Sequence, residues 1–220
     1  MLQEEPAETT ENRAKIIAQI LSPRRVKLFV VLLVSSIAIF FAAMAIPIDA
    51  SQEQSLLSEG KSLLQSATGG SSVDTFVVIF VNNVRVALIE MIPVLGFLFW
   101  GVSLYTTGQV LQAFSLSVKI PPLATGIITF AFPHALVEFA GYSFALSEGT
   151  ILLWAALKRR FRAELRLAGY QVFLVAATLL LAALIETVEI VSPGVGLVMW
   201  IPVILIITGA ALRVRTGTPR

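Results

Sequence analysis

Long apolar runs alternate with short polar segments along most of the chain. The first run, from Val26 to Ile48, is apolar apart from Lys27 and two serines. Because a helix of about 20 apolar residues crosses a bilayer, this run predicts a first transmembrane helix. Polar residues dominate 49–74, which predicts a loop in solvent, with a short helix over 52–66 as an open alternative.

Two further apolar stretches, 75–113 and 123–157, are interrupted by Pro93 and Pro133 respectively. The rest of the pattern predicts a short loop over 114–122, a loop over 158–166, a span over 167–190, a turn at 192–194 and a last span over 195–212. A backbone in lipid must satisfy its hydrogen bonds internally, so the spans are helices. The pattern therefore predicts an all-α, polytopic helical membrane protein with about six transmembrane helices.

Two courses are open for residues 75–157. In the first, 75–91 crosses inward, 93–113 crosses outward, 123–132 is a short re-entrant piece and 133–157 crosses inward. In the second, 75–91 is an interfacial segment on the outer face, 92–113 crosses inward, 123–140 crosses outward and 142–157 crosses inward. The first course has a turn at 91–93 with almost no polar residue, and the second needs a break at Gly141 without a loop. We favour the first course.

Composition narrows the class of protein. The 220 residues are 56% hydrophobic and 14% charged, against about 25% charged in globular proteins. This balance excludes a disordered chain, a nucleic-acid-binding module and an ordinary cytosolic enzyme. The absence of cysteine excludes disulfides, thiolate catalysis and metal sites with Cys ligands.

The distribution of basic residues predicts the orientation. Five of the 16 Lys and Arg residues lie in the N-terminal segment up to Lys27, five in 158–166 and three in the last eight residues, whereas 49–74 holds only Lys61. Cytoplasmic loops are enriched in Lys and Arg. We therefore expect a cytoplasmic polar tail over 1–25, a single membrane domain over 26–212 and a cytoplasmic tail over 213–220. The basic loop 158–166 is then cytoplasmic, and 49–74 and the 190–195 turn are extracytoplasmic.

Several ionisable or amide side chains lie inside the apolar stretches. Ionisable residues in spans are costly and are functional candidates by default. Those in this chain are Arg85, Glu90, His134, Glu138, Glu148, Glu186 and Glu189, and the amides Asn82 and Asn83 join them.

Pro133 suits the first position of a helix, where its missing N–H is not needed. A helix that starts there places His134 and Glu138 one turn apart, on a stripe that continues to Glu148. One interpretation is that His134 and Glu138 hydrogen-bond each other or the backbone freed by Pro133; the other is that they carry chemistry. A zinc site would need a third ligand from another helix, because the chain has a single His. We expect no catalytic residue, no cofactor and no metal.

Asn82 and Asn83 point about 100° apart on a helix, so they can offer amides to two neighbouring helices. Glu90 falls on the side of Asn83. We expect interhelical hydrogen bonds that fix packing. Glu186 and Glu189 lie at the far end of their span, and we expect both carboxylates at the water boundary.

Two motifs inside the apolar stretches resemble those of a known family. The segment Phe80-Val81-Asn82-Asn83-Val84-Arg85-Val86-Ala87 resembles the Asn-Asn motif of the stage II sporulation protein M (SpoIIM-like) family of integral membrane proteins. Some fifty residues later, Phe132-Pro133-His134-Ala135-Leu136-Val137-Glu138 is similar to that family's Pro-His-Gly-x-x-Glu motif, with Ala135 in place of Gly. The Thr107-Gly108 pair stands where the family usually carries Asn-Gly. The resemblance implies a non-enzymatic polytopic scaffold that assembles with other proteins at a membrane.

The sequence leaves three function classes open. The leading hypothesis is a non-enzymatic membrane scaffold or assembly protein, and the alternative is a transporter or proton-coupled pore that uses His134, Glu138 and other carboxylates. An intramembrane hydrolase ranks last, because neither Gly-x-Ser-x-Gly nor His-Glu-x-x-His occurs.

We expect a multi-pass protein of the cell membrane whose partners are the lipid bilayer and other membrane or envelope proteins or a second copy, without nucleic acid. The candidate motif residues are Asn82, Asn83, Arg85, Glu90, Pro133, His134 and Glu138.

Overall fold

A computed structural model of the protein describes residues 16–216. Within that range every regular element from Pro23 onward is an α-helix, which confirms the all-α prediction. The helices are α1 (Pro23–Ala45), α2 (Ala50–Thr68), α3 (Ser72–Glu90), α4 (Leu95–Ser117), α5 (Pro122–Ala131), α6 (Pro133–Leu157), α7 (Phe161–Val191), α8 (Pro193–Val198) and α9 (Trp200–Thr216).

The helix lengths and composition are those of a membrane-embedded protein. Among the described residues, α1, α3, α6 and α7 are each long and apolar enough to cross a membrane. The pair α4 and α5 gives a fifth span if it is counted as one, although α5 is bent by 111° from α4. The structure therefore supports four to five spans, against the predicted count of about six.

The predicted last span over 195–212 is broken into two short apolar helices. α8 ends at Val198 and α9 begins at Trp200. Pro202 has no backbone N–H to bond to the carbonyl of Val198, so a continuous helix through this point would lose a hydrogen bond and meet a steric clash. Pro202 therefore explains the position of the break between α8 and α9.

The bounds of the helices in the middle of the chain agree with the first of the two courses. α3 ends at Glu90 and α4 begins at Leu95, and the short α5 ends before Pro133, which opens α6 as predicted. α6 runs unbroken through Gly141, where the second course needs a break. A Cβ at Gly141 would lie 2.6 Å from a methyl carbon of Leu179, so this glycine lets α7 approach α6 closely.

Two predicted loops are largely helical. The first, 49–74, contains the whole of α2, which confirms and extends the helix over 52–66 that the sequence left open, and the start of α3. The carboxylate of Asp49 accepts hydrogen bonds from the backbone N–H groups of Ser51 and Gln52, and the Gln52 side chain accepts one from the N–H of Asp49, which together form a capping box. The hydrogen bonds that the carboxylate accepts, first from the backbone N–H of Gln52 and next from the Ser51 hydroxyl, hold the pKa of Asp49 below its usual value. A second capping box, between Ser71 and Asp74, starts α3.

The predicted basic loop 158–166 shrinks to three residues. α6 ends at Leu157 and α7 begins at Phe161, six residues before the predicted start of its span. Arg159 has a positive φ of 56°, and the backbone N–H of Arg160 bonds to the carbonyl of Ala155, which closes the end of α6.

The bounds of the other helices differ less from the predicted ones: α1 starts at Pro23 and α4 extends to Ser117. Residues 1–15 of the predicted N-terminal tail and 217–220 of the C-terminal tail lie outside the described residues.

α6 is the most buried of the candidate spans and forms the centre of the fold. α3 and α7 pack on one side of it around Ala87, Ala145 and Leu179, and α1 and α4 pack on another side through Phe40, Met44, Leu104 and Phe139. A Cβ at Gly149 would meet the backbone oxygens of Glu90 and Met91 at 2.8 and 2.9 Å. The turn between α3 and α4 therefore lies against α6 through the backbone of Glu90 and Met91, while Ile92 and Val94 are exposed.

Candidate functional site

Side chains of α1, α3, α4 and α6 surround a cavity of about 150 Å³, which we name the polar cavity. Both segments that resemble the sporulation family reach it. Its lining consists of Ser36 from α1, Asn82, Asn83, Val86 and Glu90 from α3, Trp100, Ser103, Leu104 and Thr107 from α4, and Glu138, Phe139 and Tyr142 from α6. The packing of four helices thus brings together residues that are as far as a hundred positions apart in the chain.

Asn83 and Glu90 are the two buried polar residues of α3 that line the polar cavity. Only 5% of Asn83 and 2% of Glu90 is exposed, and both lie on one side of the helix, as their spacing predicted. Within residues 16–216, the Nδ2 atom of Asn83 and the Oε2 atom of Glu90 have no hydrogen-bond partner in the protein. The predicted interhelical bonds of the two amides are therefore not formed: Asn82 is exposed, and its Nδ2 donates to Asn83 Oδ1 of the same helix at 3.4 Å.

Arg85 does not belong to this group. It lies on the exposed side of α3, where it lines a shallow surface groove with Phe80, Val81 and Leu88. Its guanidinium is thus separated from the carboxylates of the polar cavity by the body of the helix.

Glu138 contacts a different partner from the one predicted. The hydroxyl of Tyr142, one turn further along α6, donates a hydrogen bond to Glu138 Oε1 at 2.8 Å. Both residues line the polar cavity. A tyrosine four residues after a glutamate is on the same helix face, so this pair was visible in the sequence but was not singled out.

His134 pairs with Glu189 of α7, and the predicted bond with Glu138 is wrong. Nδ1 of His134 lies against a carboxylate oxygen of Glu189. Glu189 is only 7% exposed, so the prediction that it lies at the water boundary is also wrong, while Glu186 is half-buried. A Cβ at Gly196 would collide with Cγ of Glu189, which means that α8 packs directly against this side chain.

The backbone before Pro133 is satisfied from another helix. Nε1 of Trp200, at the start of α9, donates to the carbonyl oxygen of Ala131 at 2.7 Å. Neither His134 nor Glu138 is needed for this role. Pro133 therefore acts as a helix start, and the carbonyl at the end of the preceding helix, that of Ala131, is capped by an indole 69 residues away in the sequence.

Glu148 belongs to a separate charged cluster at the other end of α6. Arg25 of α1 forms ion pairs with Glu148 and with Glu164 of α7. The side chain of Glu148 is fully buried, and that of Arg25 is 9% exposed. This cluster, which we name the Arg25 ion pair, joins three helices; sequence reasoning had placed Arg25 only in a basic flank of the first span.

A wider space lies next to the polar cavity. This side pocket, of about 470 Å³, is lined by α2 residues that include Glu59 and Lys61 and by His134 of α6. It shares Thr107, Glu138 and Phe139 with the polar cavity. Glu138 and its two neighbours therefore form the common wall between a small inner space and a pocket beside α2.

Four further lining residues were missed in the sequence. They are Ser36, Trp100, Ser103 and Tyr142. Trp100 Nε1 donates to Ser36 Oγ at 2.9 Å, and the 64 positions between these two residues leave no sequence signal for the contact.

The donor set of the polar cavity suits a small cation more than a transition metal. Over residues 16–216, no group of three or more His, Cys, Asp or Glu side chains is placed to hold a metal ion. The cavity instead combines two carboxyl groups, amides and hydroxyls, which accept protons or oxygen-coordinated monovalent cations.

No family model, no curated protein and no solved structure matches this chain. The resemblance to the SpoIIM-like family accordingly stays a prediction from the two motifs.

Proposed function

We propose that this protein is a proton-coupled membrane transporter or pore, in which the carboxyl groups of Glu90 and Glu138 accept the proton. The proposal rests on one observation: polar atoms of Asn83 and Glu90 are buried without a protein partner, within the described residues, on the wall of a cavity that also contains Glu138. A residue that only fixes helix packing would be bonded to its neighbour, because an unpaired buried polar group costs about 1–3 kcal/mol. A bound proton or cation offsets this cost.

The side pocket supplies a route to the polar cavity. Glu138 lies in the wall between the polar cavity and the side pocket, and His134 also lines the side pocket. Glu59 and Lys61 of α2 line the same pocket, so the route continues toward a polar helix. A titratable group at each stage is what a proton path through a helical bundle requires.

The Arg25 ion pair supplies a barrier at the opposite end. Glu148 follows Glu138 by ten residues on α6, which is about 15 Å at 1.5 Å per residue. Between the polar cavity and that end of the bundle, the pairs from Arg25 to Glu148 and Glu164 tie α1, α6 and α7 together. Under this proposal, the barrier leaves the cavity in communication with only one side of the membrane.

The test is proton flux in vesicles. The purified protein is reconstituted with a pH-sensitive dye inside, and a potassium gradient with an ionophore drives proton entry. We expect flux with the unaltered protein, and a fall of about tenfold or more with Glu90→Gln or Glu138→Gln, equivalent to an interaction of about 1.4 kcal/mol. Glu53→Gln is the matched control, because Glu53 is on α2 but lines neither space.

Either of two results would contradict the proposal. If correctly inserted, cooperatively melting protein carries no protons under any gradient, or if Glu53→Gln and Glu90→Gln behave alike, the polar cavity does not conduct. The second candidate then takes precedence: a non-enzymatic scaffold of the kind that the motif resemblance implies. It is favoured by the convergence of both resembling segments on one cavity. Under either function we propose a location in the cell membrane with both termini cytoplasmic.

A further inference from the structure

A second large space lies at the end of the bundle where α1 begins, α6 ends and α7 begins. This basic pocket has a volume of about 840 Å³, and its lining over the described range 16–216 includes five basic residues and one acidic residue. The basic residues are Arg24, Arg25, Lys158, Arg160 and Arg166, and the acidic residue is Glu164. Glu164 is already paired with Arg25, so within residues 16–216 the other four positive charges face the pocket without a compensating carboxylate in its lining.

Two of these charges are held around a single aromatic ring. The guanidinium of Arg24 lies 3.5 Å from the ring centre of Trp154, and Nζ of Lys158 lies 3.8 Å from it. Such cation–π contacts fix the position of both cations. Like charges held close together raise the local positive potential, so the pocket favours an anion.

An apolar groove continues from the basic pocket along the outside of the bundle. It lies between α1 and α6, has a volume of about 410 Å³ and shares Arg24, Ile151 and Trp154 with the basic pocket. Its remaining lining is mostly aliphatic and includes Leu28, Val31, Leu153 and Leu157. Leu157 is 75% exposed and Val31 is 51% exposed, so the groove opens toward the lipid around the protein.

We infer that the basic pocket and the apolar groove together bind one anionic phospholipid, with its phosphate against the arginines and an acyl chain between α1 and α6. A charged headgroup site that opens into an apolar groove has the polarity of a lipid and not of a free phosphate. Trp154 sits at the junction, as aromatic side chains do at the level of the headgroups. Basic pockets between transmembrane helices are sites for anionic headgroups.

The experiment uses the fluorescence of Trp154. The full chain is reconstituted in phosphatidylcholine vesicles that contain a small fraction of lipid with brominated acyl chains, which quench tryptophan on contact. The brominated lipid is phosphatidylglycerol in one arm and phosphatidylcholine in the other. Trp154→Phe identifies the part of the signal that comes from this residue, since the chain has two other tryptophans.

We expect brominated phosphatidylglycerol to quench Trp154 at a lower mole fraction than brominated phosphatidylcholine. Arg24→Gln and Lys158→Gln should each weaken this preference about fivefold, in line with the contribution of one basic residue near an anionic surface. Both side chains are exposed, so these variants retain the fold. Arg162→Gln is the matched control, because Arg162 is in the same basic segment but does not line the pocket.

Three results would overturn the inference. The first is equal quenching by the two brominated lipids. The second is the same loss of preference in Arg162→Gln as in Arg24→Gln, which indicates a general surface effect. The third is displacement of the lipid by millimolar inorganic phosphate, which indicates a site for free phosphate instead of a lipid.

Discussion

Buried ionisable side chains of this protein differ in whether they have a partner. Glu148 and Glu189 each lie against a cation or a histidine of another helix, whereas Glu90 faces the polar cavity. Paired groups of the first kind hold helices together. One oxygen each of Glu148 and Glu189 also lacks a hydrogen-bond partner in the described range, but their other oxygen is paired, whereas Glu90 has no ion-pair partner there and is the one expected to meet a ligand.

The pairing of His134 leads to a test at the residue scale. A double-mutant cycle with His134→Phe and Glu189→Leu should give a coupling energy of about 1 kcal/mol, within the range of interhelical hydrogen bonds in membranes. The comparison cycle with His134→Phe and Glu138→Leu should give a smaller value, because Glu138 is bonded to Tyr142. Unfolding in mixed micelles measures both, and a stronger coupling to Glu138 would contradict the observed pairing.

At the scale of elements, the contact between α6 and the turn from α3 to α4 fixes the position of Glu90. Gly149 lies against two backbone oxygens of this turn, so neither side of the contact can yield by moving a flexible side chain. Glu90 is the last residue of α3, directly at the contact. The polar cavity therefore depends on a helix approach that only glycine permits.

Gly149→Ala should destabilise the protein by about 1–3 kcal/mol, the usual range for overpacking a tight contact. Gly101→Ala is the matched control, because an added Cβ there meets nothing within 4 Å. Alanine in place of that helical glycine should be neutral or stabilising by up to about 1 kcal/mol. Thermal unfolding in detergent compares the two variants, and equal melting temperatures would show that α6 does not approach the turn this closely.

At the scale of the whole molecule, the charges separate the two ends of the bundle. The basic pocket gathers the start of α1, the end of α6 and the start of α7. The side pocket and α2 lie toward the other ends of α1 and α6, near Phe40 and His134. Since basic segments stay on the cytoplasmic side, α2 is expected outside.

Labelling of single cysteines measures this orientation directly, because the natural chain has none. In intact cells, Ser58→Cys on α2 should react with a membrane-impermeant maleimide, and Arg162→Cys should react only after lysis. Both side chains are exposed, so accessibility depends on the side of the membrane. Labelling of Arg162→Cys in intact cells, with protection of Ser58→Cys, would show that the orientation is the opposite of the predicted one.

Much of the fold could be read from local sequence. The apolar runs, the helix start at Pro133, the turn at 91–93 and, in the favoured course, the short piece before Pro133 were predicted, because length, hydropathy and proline act within a few residues. The lengths of the solvent segments were not predicted. α2 is helical from the capping box of Asp49 and Gln52 onward, and α7 begins at Phe161, ahead of its apolar run and without a side-chain cap.

The sequence alone determined that this is a helical membrane protein and which of its residues are too polar for lipid. Tertiary structure alone decided their partners. His134 faces Glu189 and not Glu138, Arg25 reaches Glu148, and Asn83, Glu90 and Glu138 surround one cavity. Spacing along one helix fixes only which residues share a face. The rotation and approach of the neighbouring helices, set by contacts such as those at Gly149 and Gly196, determine what that face meets.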